Sequence, residues 1–124
     1  LKNPGQFKSV SAFSPICSPL NCPWGHKTLG NYLGADRDSW AQYDTVALVA
    51  EASEHLPVLV DQGEADNFLD EQLKTPLLIE AAKRAGFPMD IRMQPEYDHS
   101  YFFIATFIGE HMAFHARALG ASKA

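Results

Sequence analysis

At 124 residues, 46% hydrophobic and 20% charged, the chain has material for one core and lacks the composition of a disordered segment. Its net charge is -5 and its ten Lys and Arg are scattered, which argues against nucleic acid as the main partner, because phosphate binding needs a concentrated basic surface. No apolar run approaches the roughly 18 to 20 residues that span a bilayer, and no secretory signal is visible.

The first ten residues, LKNPGQFKSV, read as a helix end, a Pro-Gly turn and the start of a strand, and position 1 is Leu. The 124 residues are therefore expected to be one piece of a longer protein. Phe7 to Phe13 alternates, with β-branched or aromatic residues at several positions, and predicts a strand. Pro15, Pro19 and Pro23 follow in a loop that cannot be helical throughout. His26 to Leu33 predicts a short helix closed by Gly34. A second is predicted over Asp36 to Tyr43 with Asp36 as N-cap, and a third from Asp44 through about Ala52.

Pro57 to Asp61 (PVLVD) is a short apolar run and reads as a strand buried on both faces. Asn67 to Leu73 suggests a helical turn. Thr75 is expected to cap the next helix with Pro76 at its first position, and Leu77, Leu78, Ala81, Ala82 and Ala85 to share one side. Gly86 and Pro88 end that helix. Met89 to Gln94 alternates as a strand, Pro95 to His99 is a loop, and Ser100 opens a long helix to about Leu119. Tyr101, Ala105, Ile108, Met112 and Leu119 lie along one face of it.

This alternation predicts an α/β fold, with about three parallel strands joined by right-handed helical crossovers. Such sheets gather their chemistry at the carboxyl ends of the strands. Asp66 follows PVLVD and His99 follows MDIRMQ, so both are expected at that edge. A carboxylate bonded to a histidine Nδ1–H fixes the tautomer and stabilises the imidazolium that forms when the ring takes a proton. The order Asp then His, each on a loop after a strand, is the second half of the Ser, Asp, His order of α/β-hydrolases. From the residues alone, a surface or capping histidine just before the last helix is the favoured reading of His99.

Three stretches are more specific. PICSPLNCPWG, DQGEADNFL and YDHSYFFIATFI resemble the S-formylglutathione hydrolase (esterase D) family, in the right order and spacing and over essentially the whole chain. The resemblance implies the C-terminal part of an α/β-hydrolase domain. It further implies a cytosolic, commonly dimeric enzyme without cofactor, which hydrolyses S-formylglutathione to formate and glutathione and accepts small carboxylic esters. By position within the motifs, Asp66 matches the triad acid and His99 the triad base. No serine in this chain has glycine two residues before and two after it, so the G-x-S-x-G nucleophile elbow and the adjoining oxyanion donors are not among these residues. By itself the chain is expected to be inactive.

Other residues have competing readings. Asp61 is expected to brace backbone, Glu64 and Asp70 to be solvated, and Asp98 to make a turn bond. Trp24 and Phe68 are candidates for lining the substrate pocket, with core packing as the alternative for both. Cys17 and Cys22 do not amount to a disulfide framework and are expected to be buried, reduced thiols. His111 and His115 have metal-ligand spacing, but HMAFH lacks the Glu of H-E-x-x-H; a surface helix face is expected there, as for Glu110 and Arg117. No metal or other cofactor is called for. Two other functions fit the residues: a broader carboxylesterase or acyltransferase on the same fold, and a non-catalytic α/β module that binds a partner through an open side of its sheet.

Overall fold

A computed structural model describes residues 1–120. Strands β1 (Val10–Phe13), β2 (Val58–Gly63) and β3 (Asp90–Gln94) form one parallel sheet in the order β1-β2-β3. Val10 stands opposite Val58, and Leu59 opposite Asp90. The expected architecture of three parallel strands with flanking helices is present. β2 is the central strand, and all six of its residues are buried, as its unbroken apolar start predicts.

The two-residue period of β2 divides the molecule into layers. Val58 and Val60 join Cys17, Val49, Leu78 and Phe87 in the core under helices α3 (Thr45–Glu51) and α4 (Thr75–Ala85). Asp61 points to the opposite face, toward helix α5 (Tyr101–Ala118). No helix among the described residues is long and apolar enough to cross a membrane.

Several boundaries differ from expectation for local reasons. The first strand begins at Val10 rather than Phe7, since its pairing to β2 begins with Val10 opposite Val58. Helix α1 (Pro23–Leu33) starts three residues earlier than His26: Pro23 occupies its first turn, and Cys22 is the N-cap, its Sγ accepting from the Gly25 N–H. Residues 36–43 are a short helix α2 (Arg37–Trp40) capped by Asp36, then a 3₁₀ turn. Asp44 caps α3 as expected, through the Ala47 N–H. Thr75 is the first residue of α4 rather than its cap, because its hydroxyl is committed to Gln62. Leu77 is exposed, whereas Leu78 and Ala82 carry the buried side of that helix.

The long last helix packs differently from its most regular apolar row. Tyr101, Ala105, Ile108, Met112 and Leu119 face solvent, and Phe103, Phe107, His111 and Phe114 turn inward. α5 is apolar on more than one side, so periodicity alone does not choose the face. The aromatic ladder chooses it: Phe103 is fully buried and meets Phe13, Tyr97 and Phe107 at centroid distances of 5.6, 5.7 and 5.7 Å.

Candidate active site

The loops after β2 and β3 lie side by side at the carboxyl edge of the sheet. Backbone hydrogen bonds stitch them together: Glu64 N–H to Gln94 O at 3.0 Å, and Ala65 N–H to Tyr97 O at 2.9 Å. Gly63 makes this approach possible, since a Cβ there would lie 2.2 Å from Tyr97 O. The Tyr97 ring is anchored against Phe102, Phe103 and Phe107, and so fixes the loop two residues before His99.

Across this seam His99 Nδ1 lies 2.8 Å from Asp66 Oδ2. The Asp66 side chain is fully buried, and that of His99 is 40% exposed. Because the carboxylate can only accept, the Nδ1–H donates, which leaves the Nε2 lone pair free to take a proton from a group outside. Asp66 has two further donors: the Phe68 N–H to Oδ1 at 2.8 Å and Gln62 Nε2 to Oδ2 at 3.1 Å. Gln62 also donates to Gly63 O, and its Oε1 accepts from the buried hydroxyl of Thr75. Nothing in the sequence pattern singled out Gln62, and Thr75 was expected only as a helix cap. The available signal was a polar pair, Asp61-Gln62, ending a strand buried on both faces, where each side chain needs a partner.

Trp24 and Phe68 come together beside His99. Their rings pack at 4.7 Å, and Phe68 meets the imidazole edge-on at 5.4 Å. Both are more than one-third exposed, so they form an apolar wall at the rim rather than part of the core. Trp24 lies in the first turn of α1, where Gln72 Oε1 accepts its backbone N–H.

The remaining acids separate by burial. Glu64, Asp70 and Asp98 are exposed. Asp61 is fully buried and braces side chains rather than backbone: its carboxylate takes both Arg92 Nε and Nη2, Gln94 Nε2 and His111 Nε2. Burial alone would raise its pKa, but the hydrogen bonds from Arg92, Gln94 and His111 outweigh this and hold the carboxyl below the usual aspartate value.

The expected surface face at His111 and His115 is overturned by that cluster. His111 is buried and stacks on Phe13 at 3.9 Å, while His115 Nδ1 and Nε2 lie 2.7 and 2.8 Å from Ser9 and Ser11 Oγ. Glu110 is exposed, yet it pairs with Arg92. No group of three or more potential metal-ligating side chains occurs among the described residues. Cys17 and Cys22 are free and buried, and desolvation pushes the Cys17 thiol up to about 11.

The chain as a whole is similar to proteins of known structure. An S-formylglutathione hydrolase from Agrobacterium tumefaciens is 45% identical, with a TM-score of 0.90 over 96% of this chain and 43% of that one. A ferulic acid esterase (23% identity, TM-score 0.67, 92% and 43% covered) and esterase B from Lactobacillus rhamnosis (16%, 0.69, 90% and 40%) share the fold. The chain thus spans less than half the length of these relatives, and its sheet is part of an α/β-hydrolase fold. A family model described as "Putative esterase" matches residues 1–114, and the chain belongs to that esterase family.

Proposed function

We propose that this chain is the acid–base part of a single α/β-hydrolase domain, in a serine hydrolase that cleaves S-formylglutathione to formate and glutathione. The observation that carries the reading is the buried Asp66 carboxylate bonded to a half-exposed His99 at the sheet's carboxyl edge. In this reading His99 Nε2 takes the proton from a serine supplied outside these 124 residues. It then returns that proton to the leaving thiolate sulfur, and an acyl-enzyme is formed and hydrolysed. Asp66 holds the ring in the Nε2-basic tautomer and stabilises the imidazolium. Trp24 and Phe68 supply an apolar wall for the part of the substrate next to the reacting carbonyl. The cytosolic location and homodimer implied by the family resemblance belong to the same reading.

The identity to an S-formylglutathione hydrolase favours the thioester over the general carboxylesterase reading. The test uses the full-length protein. His99→Gln should abolish S-formylglutathione turnover with the fold intact, and Asp66→Asn should lower kcat by on the order of 10⁴. Near-normal turnover in His99→Gln would remove this site from the chemistry. Comparable kcat/KM for S-formylglutathione and a simple aryl ester would favour the generalist esterase.

A further inference from the structure

We infer that Gln62 is a positioning residue for the Asp66–His99 pair, and that Thr75 holds it in place by donating to the far end of the Gln62 carboxamide. The inference rests on the catalytic reading of that pair. Gln62 and Thr75 are both fully buried, so each polar atom must find its partner within the protein. Each does, and the assignments at Gln62 and Thr75 are forced. Asp66 Oδ2 and Gly63 O are both acceptors, and both lie within hydrogen-bond distance of Gln62 Nε2, at 3.1 and 3.0 Å. That end must therefore be the NH₂. The opposite end, Oε1, is 3.0 Å from Thr75 Oγ1 and must accept from it. With its proton given to Gln62, the Thr75 oxygen can only accept, and beside it stands the Cys17 thiol, whose one proton has both Thr75 Oγ1 at 4.0 Å and the nearer Pro15 O at 3.5 Å as acceptors. That thiol, with its raised pKa, keeps its proton at neutral pH and can donate weakly.

The result is a one-way chain of donors, Thr75 to Gln62 to Asp66, converging on the oxygen that also receives His99 Nδ1–H. It ties the start of α4 and the end of β2 to the loop carrying Asp66. A flipped carboxamide would set Oε1 against two acceptors, so Asp66 Oδ2 and Gly63 O select the working orientation, and the Thr75 hydroxyl anchors it by donating to Oε1. Two consequences follow for catalysis. Gln62 holds the carboxylate plane at the angle His99 needs. Its N–H also draws charge from Oδ2, which tempers how strongly Asp66 stabilises the imidazolium. Asp66, His99 and Cys17 are the only titratable side chains hydrogen-bonded within the set.

The test is made on the full-length protein, with pH profiles of kcat/KM for Gln62→Met, Thr75→Val and Thr75→Ser. Losing the donor to a charged acceptor should lower kcat by about 10-fold in Gln62→Met, with KM little changed. It should also strengthen the Asp66–imidazolium interaction and move the acid limb of the profile up by roughly half a unit or more. Thr75→Val should shift the limb in the same direction by less, and Thr75→Ser, which keeps the hydroxyl, should restore it. Thr75→Val and Thr75→Ser decide the matter even if Gln62→Met fails to fold. A loss of thermal stability with an unmoved acid limb and unchanged kcat in Thr75→Val would overturn the inference. His99→Gln is assayed alongside: if it keeps turnover, the catalytic reading itself fails, whereas its inactivity with unaffected Thr75 variants sinks only the positioning role.

Discussion

Asp61 and Asp66 are close in sequence and both are buried, yet they face different surroundings. Asp61 ends the regular apolar run of β2, and strand alternation turns it toward α5, onto Arg92, Gln94 and His111. Asp66 lies beyond the strand, where the chain turns back to the loop bearing His99. The family motif in the sequence identified Asp66; the residues alone did not separate it from its neighbours, because burial and partners are tertiary properties. The Asp61 cluster carries a separate stability prediction. A carboxyl held below its usual value in the folded state stabilises the protein above the unfolded pKa, near ~3.9, and that contribution is lost as pH falls through the folded value. Asp61→Asn removes the carboxylate that Arg92, Gln94 and His111 share and leaves Arg92 the exposed Glu110 alone as ion-pair partner. It should cost about 1–3 kcal/mol at pH 7, less than for a fully buried pair because Arg92 keeps contact with water. Urea unfolding of the full-length protein at pH 7 and pH 3 should show the gap to wild type narrowing in acid. A gap of constant size would mean that the carboxylate charge is not its source.

At the scale of elements, the joint between the β2 and β3 loops determines whether the two site residues meet. Strand positions, helix order and most caps were legible, since they follow from local periodicity and from Asp36, Asp44 and Ser100 before helical runs. The joint was not legible, because nothing local in GEAD announces that Gly63 abuts Tyr97 O. Gly63→Ala tests it directly. A Cβ 2.2 Å from a carbonyl oxygen and 2.6 Å from its carbon cannot be absorbed by a side-chain rotation, as both atoms are backbone. The loops must separate, at a cost of about 1–3 kcal/mol or more. The His99–Asp66 bond should lengthen, so kcat should fall further than the loss of stability alone would produce at the assay temperature. A variant with lowered melting temperature but wild-type kcat would show that the pair tolerates the displacement. Gly25 provides a contrast in the same molecule: a Cβ there would meet Pro19 O at 2.0 Å, away from the pair, so Gly25→Ala should disturb α1 and Trp24 first.

At the scale of the molecule, the misjudged face of α5 and the free edge of β1 point the same way. Tyr101, Phe102, Met112 and Leu119 are each more than 60% exposed along one helix, well beyond the scattered apolar residues of an ordinary surface. Among the described residues β1 pairs only with β2, so its other edge offers unpaired backbone groups. Beside it the apolar side chains of Val10, Ala12, Val58, Val60 and Leu78 line an open hollow. Periodicity marks a helix side as apolar but does not say which part of a larger domain covers it, which is why the inward face of α5 was not legible from its pattern. Since the chain spans 43% of a relative that matches it at a TM-score of 0.90, these surfaces fit the proposal that a longer α/β-hydrolase domain covers them. Residues 1–124 produced alone should then self-associate and bind a hydrophobic dye strongly, and show no esterase activity. The full-length protein should do neither and be active. If the 124 residues form a dye-silent, soluble monomer with a cooperative melting transition, the sheet is self-sufficient. The non-catalytic binding module would then become the better reading of this chain.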